Sequence, residues 1–170
     1  MFKEITVKDL QENVFDLIGS QWMLVTAGTK EQANTMTASW GGLGVMWGKN
    51  VAYIVIRPQR YTKEFIDREQ TLTLSFYQDE FKKTLSYLAT VSGKDEDKFG
   101  KSGLTLDYYE DTPYFKEANL VLKVRKLYAQ PMEEHSILEN EIIEKWYPAK
   151  DYHTMNICEI EKVLVKEGTK

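Results

Sequence analysis

This chain is poor in the residues that mark many active sites. It has a single cysteine, Cys158, among 170 residues, so no internal disulfide can form. A reducing cytoplasm is the setting that such cysteine usage leads us to expect. It has only two histidines, His135 and His153. With them so far apart and one cysteine, no zinc-ligand spacing exists. Positive charge is not in excess: the net charge is -4. That argues against a generic nucleic-acid binder but leaves room for a phosphate-bearing ligand, which needs only a few local cations. Apolar runs are much shorter than a membrane span, and the first residues lack the basic and apolar regions of a signal peptide, so no membrane partner is expected. There is no internal repeat, low-complexity tract or Pro/Ser-rich linker, and the length fits one domain over residues 1–170.

Several catalytic motifs are absent on inspection. Gly100-Lys101-Ser102 has the ending of a phosphate-binding loop, but the required first glycine falls at Asp95 and no strand precedes it. Asp95-Glu96-Asp97 begins like a calcium loop, yet Phe99 and Leu106 stand at later ligand positions. No GxGxxG follows a strand. Ser39 lacks the glycine framing of a nucleophile elbow, because Thr37 stands at the earlier position. A covalent hydrolase or metalloenzyme would have to be built from unmarked residues.

What is present is a pattern of strands. Trp22–Ala27 and Met36–Trp40 are β-prone and read as a hairpin with a long loop through Gly28–Asn34. Val51–Ile56 is apolar at nearly every position, the pattern of a strand buried on both faces, and Pro58 ends it. Thr71–Tyr77 alternates, with Leu72, Leu74 and Phe76 on one face and a polar face opposite. Leu120–Val124 and Met155–Val165 are late strands, and the apolar register slips near Cys158, where a bulge is expected. Residues 7–19 read as one short helix, Thr62 as the N-cap of a helix over Lys63–Arg68, and Asp79 as the cap of another containing Phe81, Leu85, Leu88 and Ala89. Ser92–Gly103 reads as a loop with one helical turn, and Glu139–Trp146 fits strand or helix. The intervals lack the regular alternation of a doubly wound parallel sheet. A mainly β fold, a mostly antiparallel barrel with peripheral helices, fits better.

Two stretches carry the chemistry. Thr37-Ala38-Ser39-Trp40-Gly41-Gly42 combines small side chains, exposed backbone donors and an indole. Such a segment suits the edge and face of a planar aromatic ligand, though a tight turn with a core tryptophan, or a plain glycine-rich loop, would read the same. Arg57-Pro58-Gln59-Arg60-Tyr61-Thr62 places a guanidinium, a hydroxyl and a helix start at the end of a strand, a ready anion site. The alternative is an ordinary helix cap with Arg57 paired to a surface carboxylate. Ser75 and Phe76 end a strand whose polar face either meets the same ligand or is solvated. Lys94 and Lys98 lie in a polar loop from which a lysine can reach a phosphate. His153 suits a structural role or a contact to substrate near neutral pH. Cys158 suits a buried apolar filler. Val45, Met46 and Trp47 exceed what one small core needs and suit an interface.

In the order Met36–Gly41, Val51–Ile56, Arg57–Thr62, Leu74–Phe76, Ser92–Phe99 and Tyr152–Met155, these segments resemble the flavin reductase-like, FMN-binding split-barrel family over nearly the whole chain. The resemblance implies a six-stranded antiparallel split β-barrel that forms a homodimer, with FMN near the subunit interface. By similarity Thr37, Ala38, Ser39 and Trp40 would line the flavin and ribityl chain, and Arg57, Tyr61 and Thr62 would hold the phosphate. Ser75, Phe76 and Lys98 would be further cofactor neighbours, and His153 a substrate contact. NADH or NADPH would be the electron donor and the acceptor is open. No catalytic acid or base is required, since the protein's part is to hold and tune the cofactor. An FMN-binding electron carrier without nicotinamide turnover is the alternative, and a barrel that binds haem, pyridoxal phosphate or nothing is a third.

Overall fold

The structure is a computed structural model describing residues 1–168, so the last two residues of the expected 1–170 domain lie outside the described residues. In chain order the strands are β1 (Phe2–Ile5), β2 (Met23–Gly28), β3 (Ala33–Ala38), β4 (Gly41–Met46), β5 (Lys49–Ile56), β6 (Thr71–Phe76), β7 (Leu106–Tyr109), β8 (Thr112–Phe115), β9 (Leu120–Pro131) and β10 (Thr154–Lys166). The helices are α1 (Val14–Asp16), α2 (Tyr61–Arg68), α3 (Lys82–Thr90), α4 (Lys98–Ser102) and α5 (Asn140–Trp146).

One antiparallel sheet runs β3-β2-β6-β9-β10-β5-β4. The long β10 pairs with β5 through residues 154–159 and with β1 through residues 163–166, so it carries two short strands in turn along one side. Among the described residues the sheet therefore has eight strands rather than the six expected. It curls around a core made by Val25, Met36, Ile54, Leu74, Leu122 and Ile160 with Phe65 and Ile66 of α2. No ladder joins β3 to β4 among the described residues, which leaves the barrel split at Ser39 and Trp40. Outside it, α3 and the β7–β8 hairpin cover Leu24 and Val121 with Leu85, Leu88 and Phe115.

That outer layer changes the reading of two strands. Thr73 and Ser75, on the polar face of β6, are fully buried, because the β7–β8 hairpin lies on them. The Thr73 hydroxyl donates to the Pro113 carbonyl at 2.7 Å, and the Thr71 and Thr112 hydroxyls share a bond of 2.9 Å. Conversely β5 is not buried on both faces: Tyr53 is exposed and Val55 half-buried.

Local chemistry accounts for the other differences. Residues 7–19 do not form one helix. Thr6 and Asp9 cap a single 3-10 turn, and Asn13 starts α1 anew by accepting from the N–H of Phe15 at 3.0 Å. Two caps so close together interrupt the backbone ladder. The β2–β3 loop is only Thr29–Gln32, since Gly28 still pairs with Ala33. The glycine-rich stretch is a strand, β4, joined to β5 by Trp47-Gly48 with φ of 53° and 68°. Two positive φ values make the tight turn whose twist matches a hairpin. Gly42 has no room for a side chain: a Cβ would lie 2.4 Å from the Tyr53 ring on the neighbouring strand. The register between β9 and β10 slips beside Cys158, where Leu127 of β9 has no partner, and again at Glu161. Glu139–Trp146 resolves to helix α5.

Candidate functional site

The barrel's split is also where a groove opens. A cavity of about 370 Å³ is lined by Thr37, Ala38, Ser39 and Trp40 as the chain passes from β3 to β4. Val55 and Arg57 of β5 and its exit, Trp146 of α5, and His153 before β10 complete it with Met36 and Arg60. A second cavity of about 250 Å³ shares Met36 and Arg60 with the first. It is lined by Asn34, by Tyr61 and Thr62 in the first turn of α2, and by Lys98 at the start of α4. Together they form one trough, flat and aromatic at one end, cationic at the other.

The aromatic end is built from small and planar groups. Thr37 is anchored, its hydroxyl donating to the Leu85 carbonyl at 2.6 Å. Trp40 stands edge-on to Trp146 at 4.8 Å and lies 5.1 Å from the His153 ring. Both indoles keep part of their surface exposed, at 38% and 40%. Trp40 is therefore a wall residue and not a core residue. The His153 Nδ1 and the Tyr147 hydroxyl share a bond of 2.7 Å. Burial, and then the charge of Arg57, lowers the His153 pKa to about 4, so the ring is neutral at physiological pH.

The cationic end has positive charge without matching negative partners. Lys98 is 4% exposed, and its ammonium has no hydrogen-bond or ion-pair partner among the described residues. Burial, then the neighbouring Arg60, pushes its pKa down to about 8. Among the described residues the Arg60 guanidinium donates only to the Ala89 carbonyl, at 3.3 Å, and its pKa too is lowered by burial and by Arg57. Asp95, the one carboxylate in this lining, forms no ion pair with either. Thr62 is not the helix cap. The N-cap of α2 is Arg60, with no side-chain bond to the first turn, and the buried Thr62 hydroxyl accepts from Asn34 Nδ2 at 2.9 Å. Behind Asn34 stands Gly93, where a Cβ would lie 2.4 Å from Asn34 Oδ1.

Not every expected site residue comes to the trough. Ser75 and Phe76 line neither cavity; Phe76 is in the barrel core and Ser75 beneath the outer hairpin. Lys94 pairs with Glu64 at 2.6 Å. Arg57 lines the aromatic end, and its guanidinium is taken up by Asp151, at 2.7 Å, and by the Trp146 carbonyl, at 2.8 Å. The residues that sequence reasoning passed over are Asn34, Arg60 and Trp146. Arg60 lies inside the Arg57–Thr62 stretch already read as an anion site. Nothing local marked Trp146, because its segment fitted two secondary structures.

The trough fits a flavin mononucleotide. A buried, unpartnered lysine, a second cation and a helix start face one cavity, and small residues with two indoles line the next. No helix among the described residues is long and apolar enough to cross a membrane. Comparison with known proteins agrees on family and fold. No curated protein matches. Among solved structures, flavoredoxin from Methanosarcina acetivorans is 22% identical, with a TM-score of 0.68 over 86% of this chain and 69% of its own. An FMN-binding protein from Thermus thermophilus with bound p-hydroxybenzaldehyde is 17% identical, with a TM-score of 0.68 over 98% of this chain and 83% of its own. An NADH:FAD oxidoreductase from Streptomyces globisporus is 15% identical, with a TM-score of 0.66 over 88% of this chain and 71% of its own. These likenesses establish the fold, a split barrel. A family model, the flavin reductase like domain, matches residues 15–169. The chain belongs to the flavin reductase like domain family.

Proposed function

We propose that this protein binds FMN in the trough and acts as an NAD(P)H-dependent flavin reductase-type oxidoreductase, as one cytoplasmic domain that assembles into a homodimer. The observation that carries the reading is the junction of an aromatic cavity and a cationic cavity at Met36 and Arg60. When bound, FMN supplies hydride acceptance from a reduced nicotinamide and onward transfer to an acceptor such as a second flavin, an iron complex, oxygen or a protein. The chain's own residues do the holding. Lys98 and Arg60 would neutralise the phosphate beside the first turn of α2, where unpaired backbone N–H groups favour an anion. Thr37, Ala38 and Ser39 let the backbone approach the ring, and Trp40 and Trp146 exclude water from its surroundings. His153 stays uncharged and offers a ring to the nicotinamide without repelling it.

The dimer rests on the outer face of β4, β5 and β10. Val45, Met46 and Trp47 at the tip of the β4–β5 hairpin and Tyr53 on its outer face are exposed, and two apolar hollows of about 220 and 410 Å³ meet at Met155. Contiguous apolar surface of this kind marks interfaces. Light scattering at micromolar concentration should return twice the mass of one chain.

Flavin binding is tested by fluorescence-quenching titration. FMN should bind more tightly than FAD, because the trough ends at one compact cationic site. Equal or tighter FAD affinity would overturn this assignment. Anaerobic mixing with NADH and NADPH then tests the reaction. Rapid bleaching of the flavin supports a reductase. A persistent oxidised spectrum would instead make the protein an electron carrier.

A further inference from the structure

The sequence reading treats Arg57 as a phosphate ligand; its contacts point elsewhere. Its Nη1 donates to the Asp151 carboxylate at 2.7 Å and lies 3.4 Å from the Asp151 carbonyl. Its Nη2 donates to the Trp146 carbonyl at 2.8 Å, and its guanidinium lies over the Tyr147 ring at 5.2 Å. All of these partners belong to the stretch between β9 and β10. Gln59 adds a bond of 2.7 Å to the same Asp151 oxygen. The Gln59 amide, and then Arg57, lowers the Asp151 pKa, so the carboxylate is ionised opposite the guanidinium. The phosphate-facing cations, Arg60 and Lys98, have no such carboxylate.

We propose that Arg57 is a positioning residue: it ties the end of α5 to the exit of β5, and so holds Trp146 and His153 as a wall of the aromatic cavity. A guanidinium that reaches two partners at once suits this task, since its planar fork fixes direction as well as distance. The geometry couples three groups. The Trp146 carbonyl bond seats its indole edge-on to Trp40. The Tyr147 beneath Arg57 holds His153 Nδ1. The Asp151 bond fixes the turn that leads into His153. The width of the opening above Trp40, and hence which planar reactant enters, depends on this tie. Its consequence for flavin rests on the function proposed above; the tie itself does not.

The test uses the full chain with Arg57→Ala, Arg57→Lys and Asp151→Asn. Two stacked or edge-on indoles give an exciton couplet in circular dichroism, and Trp40→Phe and Trp146→Phe assign it to this pair. The couplet should vanish in Arg57→Ala, stay absent in Arg57→Lys, which keeps the charge but not the fork, and weaken in Asp151→Asn. FMN and riboflavin affinities should then fall by the same factor, to within about twofold, in Arg57→Ala. A couplet that survives Arg57→Ala overturns the proposal, as does failure of Trp40→Phe and Trp146→Phe to remove it. A loss confined to FMN, restored by Arg57→Lys, also overturns it and returns Arg57 to the phosphate. If the parent protein binds no flavin, the function proposed above fails, and the couplet alone decides the tie. Asp151→Asn, which leaves the arginine in place, keeps the test decisive should Arg57→Ala fold poorly.

Discussion

Replacing Lys98 by methionine should make the flavin-free protein more stable and the flavin complex weaker. The ammonium is buried without a counter-charge, and its pKa drops from 10.5 to about 8. Such a displacement corresponds to a penalty of about 3 kcal/mol on the charged form. The sign follows from proton binding. Below pH 8 the lysine is charged in both the folded and unfolded chain, and the folded state bears the full penalty. Between about 8 and 10.5 the unfolded chain holds the proton while the folded one releases it, so stability rises with pH in that window. Methionine preserves the apolar stem and length of the lysine and removes the charge. At pH 7 the melting temperature of the flavin-free variant should increase, by up to roughly 10 °C for a domain of this size. Its stability should no longer climb between pH 8 and 10.5 in the way the parent's does. A charge-assisted contact to phosphate is worth about 1.5–3 kcal/mol, so FMN affinity should fall by roughly one to two decades. Riboflavin, which lacks the phosphate, should bind as before. The assays are thermal melts at several pH values and flavin fluorescence titration. Lower stability of the flavin-free variant at pH 7, or equal loss of riboflavin and FMN, would refute the reasoning.

Three further outcomes are expected. His153, with its pKa lowered to about 4, stays neutral while the unfolded chain gains a proton below about 6.5; stability should drop as pH falls from 6.5 to 4, by about 3 kcal/mol at most, and His153→Gln should flatten that part of the profile in urea titrations. Gly42→Ala should cost about 1–3 kcal/mol by forcing the Tyr53 ring aside, and Tyr53→Ala should recover most of it in a double-mutant cycle; simple additivity would show that the ring is not the obstacle. Trp40→Ala should cost about 1–2 kcal/mol, below the 3–5 kcal/mol of a buried aromatic, while changing flavin affinity; a larger stability loss with unchanged affinity would make Trp40 structural.

Much of this protein is legible locally. The alternation of Thr71–Phe76, the apolar run before Pro58 and the slip in register beside Cys158 each report a backbone periodicity, and periodicity is a property of neighbouring residues. The stretch Thr37–Trp40 shows its small side chains and its indole without a fold, but a cavity lining and a tight turn read the same there, and the fold decides for the cavity. What lies beyond the reach of local pattern is who faces whom. The polar face of β6 is as hydrophilic as a solvated one, and only the β7–β8 hairpin laid across it makes Thr73 and Ser75 interior. Arg57 carries the same charge whether it meets phosphate or carboxylate, and the tertiary structure brings it to Asp151, 94 residues along the chain. Lys98 reads, like Lys94, as a loop lysine that can reach a phosphate or stay solvated; only the packing of α4 against the trough strips its water and separates it from Lys94, which pairs with Glu64. The sequence by itself determined strands β2, β3, β5, β6, β9 and β10, each of which carries its own run or alternation of apolar residues, while β1, β4, β7 and β8 show only in the fold. The tertiary structure decided which cations remain uncompensated and which are spent on holding the wall, because burial and pairing are set by residues distant in sequence.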